Sequence, residues 1–129
     1  MTETLPPDSL TDILTSLRER VMGVSESVLS TVDGLLVVAD ADTVHPESVA
    51  ALAAATLGIG RRMADTTGVG VLREVVVRCG SGHVVVMAVG DRALLTVKGD
   101  DGLDLAAFQR ESPVAVEQLN KVLASDATH

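Results

Sequence analysis

The 129-residue chain is the size of one domain, long enough to bury roughly two-thirds of its unfolded surface on folding. Hydrophobic residues make up 47% of it but aromatics only 1%, with Phe108 the sole aromatic, so alanine and valine must build the interior. A formal net charge of −8 disfavours contact with phosphate backbones, and the lack of Trp and Tyr removes base-stacking platforms, which excludes nucleic acid as the expected partner.

The first eight residues, Met1 to Asp8, have no basic stretch followed by an apolar one, so they read as a flexible tail and not as a secretory signal. No run is long enough to span a membrane. The single cysteine, Cys79, has no internal disulfide partner and suits a reducing cytoplasm.

Leu10, Ile13, Leu14, Leu17 and Val21 recur on one helical face, with Asp8 or Ser9 as N-cap and Gly23 placed to end the helix. Two strands follow, about 26–32 and 35–40, joined by Asp33-Gly34. A two-residue primed turn is expected there, with positive φ at both positions and Val32 facing Leu35. One sheet face then collects Val28, Ser30, Val32, Leu35, Val37 and Ala39, and the other Leu29, Thr31, Leu36 and Val38. Neither face is polar enough for water, so helices are expected over both.

After a polar loop at 40–44, Pro46 and Glu47 open a second helix, as first-turn residues should. From Ser48 to Gly60 this helix carries no charge. Val49, Leu52, Ala53, Thr56 and Met63 form the stripe expected against the sheet. Ala50, Ala54 and Gly58 continue at four-residue steps on another side, with no partner expected within the chain, and are assigned to a subunit interface. Arg61 and Arg62, placed at the helix end, are expected to contact a partner protein together with Leu57.

Three valine-rich strands come next, Val71 to Cys79, His83 to Val89 and Arg92 to Lys98, whose short links require antiparallel neighbours. Val75, Val76 and Val77 on a sheet edge would template strand pairing, so two-fold pairing with a second copy is expected to cover them. The last helical segment carries Leu105, Phe108, Ala115, Leu119, Val122 and Leu123, with Pro113 either kinking it or starting its main part. Ser125 to His129 read as a second tail, which leaves one domain over 9–124.

No residue set resembles a catalytic site. Cys79 lies near Arg78 and His83, but a strand-end cysteine beside a Gly-rich turn reads as structural. Asp40, Asp42, His45 and Glu47 match no zinc or calcium spacing and read as loop solvation plus helix N-terminal charge. Gly58-Ile59-Gly60 and Gly68-Val69-Gly70 lack the third glycine of a dinucleotide fingerprint, and no phosphate loop occurs. Neither metal, cofactor nor enzymatic activity is expected.

Together, Val21-Met22-Gly23-Val24, the first strand, Asp33-Gly34-Leu35, the Ala-rich helix from Glu47 and the three later strands resemble the Roadblock / dynein light chain superfamily over about Leu10 to Leu123. Leu103-Asp104-Leu105 matches the approach to the last helix, while Pro113 departs from the pattern. The resemblance implies an α+β, profilin-like sandwich in the order α-β-β-α-β-β-β-α, with a five-stranded antiparallel sheet between helical layers. It further implies a homodimer formed through the second helix and third strand. Its bacterial members serve as regulators or scaffolds of Ras-like small GTPases, some beside a histidine-kinase-like receptor. The implied role is therefore a non-enzymatic homodimeric module acting on a small GTPase in the cytoplasm. The alternatives are a small-molecule sensor domain, disfavoured by the scarcity of aromatic pocket walls, and a pure scaffold in a receptor-kinase-linked complex.

Overall fold

The computed structural model describes residues 9–127. The tail expected over 1–8, with Asp8 as an alternative cap, lies outside the described residues, as do 128–129. The elements are α1 (Leu10–Arg20), β1 (Val24–Thr31), β2 (Leu36–Asp40), α2 (Pro46–Thr67), β3 (Glu74–Cys79), β4 (Gly82–Val89), β5 (Ala93–Asp100) and α3 (Leu105–Ala127). The order is the expected one. The strands form one five-stranded sheet, β2-β1-β5-β4-β3, antiparallel throughout.

Ser9 caps α1, its Oγ accepting from the Asp12 amide at 3.2 Å. The helix stops at Arg20, so Gly23 does not end it. Gly23 instead turns the chain into β1 at φ +94°, and a Cβ there would fall 2.3 Å from Leu103 Cα. The close packing of 102–103 on this turn is what requires glycine.

The β1–β2 connection differs from the expected two-residue turn. The Gly34 amide donates to Thr31 O at 3.0 Å and the Thr31 amide to Leu35 O at 2.8 Å, which closes a loop of Val32, Asp33 and Gly34. Only Gly34 of these has positive φ, at +90°, so Val32 does not face Leu35. This is the arrangement of a three-residue hairpin, in which a left-handed residue follows an ordinary turn. Further along, Leu29 pairs with Val38 but Ser30 with Leu36, so the register slips by one residue. Leu36 therefore shares a face with Ser30 and not with Leu29, because directly opposed residues point the same way.

Both faces are covered, as the apolar patterning required. On one, α1 and α3 bury Leu14, Leu17, Phe108 and Leu119 against Leu29 and Leu95. On the other, α2 packs Ala53 and Leu57 onto Val86 and Leu94. α3 runs unbroken to Ala127 with Pro113 inside it, so the proline does not start the helix and residues 125–127 are helical. β3 begins at Glu74, three residues later than expected, and Val71 is left 95% exposed.

Candidate protein-interaction face

α2 is built to be long. Nδ1 of His45 accepts from the Ser48 amide at 3.2 Å, Pro46 occupies the first turn, and Gly68 closes the helix in the left-handed conformation, its amide donating to Ala64 O at 3.0 Å. Because the helix continues to Thr67, Arg61 and Arg62 lie in its body, not at its end, and offset no C-terminal dipole.

The burial of α2 departs in part from the two stripes read from the sequence: Ala53 lies against the sheet as expected, but Leu52 and Met63 of the same stripe do not. Ala50 is 0% exposed, Ala53 3% and Leu57 2%, and Ala54 packs partly on the same core. Ala54 and Leu57 therefore pack on the chain's own sheet, Ala50 is buried within the chain, and Leu57 has no surface to offer a partner. Gly58 alone of the expected interface stripe is exposed. Conversely Leu52 at 67%, Ile59 at 65% and Met63 at 61% exposure face outward, although the spacing of Leu52 and Met63 predicts contact with the sheet. The cause is the height of the helix above the strands. A Cβ at Gly34 would sit 3.3 Å from Ala51 Cα, and one at Gly60 would sit 2.8 Å from Val75 Cγ2. A helix held this close admits only small residues beneath most of its length, so its bulky apolar ones are displaced to the outer surface.

Those two contacts also orient the helix. The line through Ala51 and Ala54 lies over the β1–β2 turn, whereas the line through Gly60 lies over β3. Leu52 and Thr56 precede Gly60 at four-residue steps, and Ile59 and Met63 lie together on the neighbouring row. The exposed apolar stripe thus leans toward β3, the strand at one end of the sheet.

β3 alternates across the sheet. Val75 reaches under α2, while Glu74, Val76 and Arg78 point to the opposite face. There, with Val85, Leu105 and Phe108, they line an open cleft of about 370 Å³. Val76 is 46% and Val77 42% exposed on this outermost strand. An edge strand with three consecutive valines is a template for pairing.

A buried carboxylate at the start of α2 went unread in the sequence. Oε1 of Glu26, a residue 5% exposed on β1, accepts from the amides of Asp42 at 2.7 Å, Thr43 at 2.8 Å and Val44 at 3.1 Å. Its Oε2 accepts from the Thr43 hydroxyl and from Lys98 Nζ, the latter at 3.0 Å. Burial alone would raise this carboxyl, but the bonds from the Thr43 hydroxyl and the three loop amides outweigh it and hold it well below the ordinary carboxylate range. Glu26 thereby fixes the loop that launches α2. A lone Glu within an apolar strand was the available signal.

The acidic loop is otherwise occupied. Asp40 accepts from Arg18 Nε at 2.7 Å, His45 caps α2, and Glu47 sits 3.8 Å from His45 Nε2. Among the described residues no group of three or more His, Cys, Asp or Glu is placed to hold a metal ion. Cys79 is exposed, with Sγ 3.9 Å from Val77 O. Among the same residues no helix is long and apolar enough to cross a membrane.

The fold and this face define a class: an α/β/α sandwich whose central sheet ends in an uncovered valine strand beside a helix with an outward apolar stripe. The Roadblock/LC7 domain family model matches residues 10–99, and the chain belongs to that family. Among solved structures, it is similar to a Roadblock/LC7 domain from Streptomyces avermitilis, with 27% identity, 87% of this chain and 95% of that one covered, and a TM-score of 0.81. Myxococcus xanthus MglB shares the fold at 18% identity, with 90% and 95% covered and a TM-score of 0.81. The gliding protein MglB from Thermus thermophilus does so at 17% identity, with 95% and 93% covered and a TM-score of 0.77. No curated protein matches the sequence.

Proposed function

We propose that the protein is a homodimeric regulatory module that binds a Ras-like small GTPase and acts on its nucleotide cycle or placement, without bond chemistry of its own. The observation that carries this reading is the exposed stripe Leu52, Ile59 and Met63 leaning toward the uncovered edge of β3. Three large apolar side chains at this exposure, next to a pairing-competent strand, favour burial against a second copy. The GTPase role rests on family membership and on likeness to MglB, one structure of which is described as having a tetrameric arrangement.

Once the stripe is covered, Ala55, Gly58 and Arg62 remain exposed on the outer side of α2, with Arg61 beside them. Residues 48–83 carry Arg61, Arg62, Arg73 and Arg78 against Asp65 and Glu74, a local positive excess in a chain of net charge −8. Such a face attracts an acidic partner surface and speeds encounter with it. The site is cytoplasmic, and a histidine-kinase-like receptor is the upstream component this reading favours.

The test is chromatography with light scattering on the protein mixed with a neighbouring small GTPase, loaded either with GDP or with a GTP analogue. A complex of two copies of this chain with GTPase, formed in at least one nucleotide state, is expected. No complex in either state rejects the GTPase reading and leaves a scaffold.

A further inference from the structure

We infer that β3 pairs with its own copy in one register, centred on Val76, in which Glu74 of each protomer lies directly opposite Arg78 of the other. This inference rests on the dimer reading above and goes beyond it by specifying which residues select the second copy.

β3 reads Glu74-Val75-Val76-Val77-Arg78-Cys79, an apolar run bracketed by opposite charges. Glu74, Val76 and Arg78 share the face toward the cleft, and Val75 lies toward α2. In an antiparallel pair, opposed residues point to the same face. A two-fold axis perpendicular to the joined sheet keeps both α2 helices on one side only if a residue meets another of its own face. Registers displaced by one residue put the two helices on opposite sides and leave both apolar stripes in water.

Among the registers that remain, centring on Val75 sets Glu74 against Val76 of the second copy. Centring on Val77 sets Arg78 against Val76 of that copy. Each sets two charged groups, one from each protomer, against an apolar side chain without neutralising them. Centring on Val76 sets valine against valine at three successive positions and closes two Glu74–Arg78 pairs, one on each side of the axis. Glu74 and Arg78 are exposed and form no ion pair within the described residues. Gly60, against Val75, brings α2 to the level of the axis, so Ile59 and Met63 meet their own copies above the strands. On the other face the two clefts run together across Val76.

The charge pattern is testable by exchange. Glu74→Arg opposes two arginine pairs in a homodimer and Arg78→Glu two glutamate pairs, and each variant is expected to weaken self-association by about 30-fold. An equimolar mixture of the two should form a one-to-one heterodimer, in which all four charges meet opposites, and Glu74→Arg/Arg78→Glu in one chain should restore the homodimer. In a Cys79→Ser background, Val76→Cys should cross-link to its own copy on mild oxidation, whereas Glu74→Cys should not, since its opposed residue is Arg78. Sedimentation velocity reads the first set and non-reducing gels the second. If the wild type is a dimer but the mixture forms no heterodimer and Val76→Cys does not cross-link, this register is wrong and the dimer reading survives. A wild type that stays monomeric overturns both.

Discussion

Replacing Glu26 tests whether one buried carboxylate holds the loop that starts α2. The Thr43 hydroxyl and three amides, from Asp42, Thr43 and Val44, point at its oxygens, with Lys98 at 3.0 Å. Lys98 is 44% exposed, so its attraction is largely screened and most of the effect must come from the loop donors. Each loop bond contributes about 1 kcal/mol net, since the freed donors partly rehydrate. Glu26→Ala should therefore cost about 4 kcal/mol, and Glu26→Gln, which keeps the shape but loses the charge, about 2 kcal/mol. The sign with pH follows from the lowered carboxyl. A carboxyl of ordinary value 4.5 in the unfolded chain and a lower one in the fold contributes stability that is complete above about 4.5 and is lost as pH falls toward the folded value. Urea denaturation of wild type and Glu26→Gln, at one protein concentration because association adds to stability, should show the gap at pH 7 narrowing by pH 3. A gap under about 0.5 kcal/mol at pH 7, or one unchanged at pH 3, refutes the locking role.

Gly23→Ala should cost more than about 2 kcal/mol by chemical denaturation, because it combines a positive φ of +94° with a Cβ 2.3 Å from Leu103 Cα. Pro113→Ala should raise stability by about 1 kcal/mol or more, as an exposed interior position of α3 regains an amide that can donate to the carbonyl of Gln109. Cys79→Ser should leave stability and self-association within error, measured by the same denaturation and by light scattering. Arg61→Glu/Arg62→Glu should preserve the dimer yet slow association with a small GTPase by about tenfold at low salt in stopped flow, with the difference shrinking as salt rises.

The scaffold was legible because its signals are local. Leu10, Ile13, Leu14 and Leu17 mark one helical face, the Gly80–Gly82 and Gly90–Asp91 links force antiparallel neighbours, and the double-sided apolarity of 28–39 demands two helical layers. The hairpin turn was not, because Asp-Gly also fits a three-residue loop, where only Gly34 must be left-handed. The face of α2 eludes the sequence for a deeper reason. Periodicity separates two apolar stripes but does not say which is inside, and bulk is a poor guide when a glycine turn lets the helix sit close to the sheet. Ala50 and Leu57 went in, Leu52, Ile59 and Met63 went out, and that assignment depends on Gly34 of the β1–β2 turn lying against α2 and on Gly60 of α2 lying against Val75 of β3. Glu26 escapes notice because its partners, 42–44, are remote in sequence and mostly backbone amides, which no side-chain pattern records.

In the proposed dimer, α2 and β3 together form the surface on which a second copy docks. Light scattering of the wild type at tens of micromolar, beside Ile59→Asp/Met63→Asp, addresses it directly. Both substituted residues are more than half exposed in the protomer, so the variant should fold as well as the wild type does. The wild type is expected at twice 13.3 kDa and the variant at 13.3 kDa with an unchanged far-ultraviolet circular dichroism spectrum. A monomeric wild type, or a variant that remains dimeric, would contradict the account.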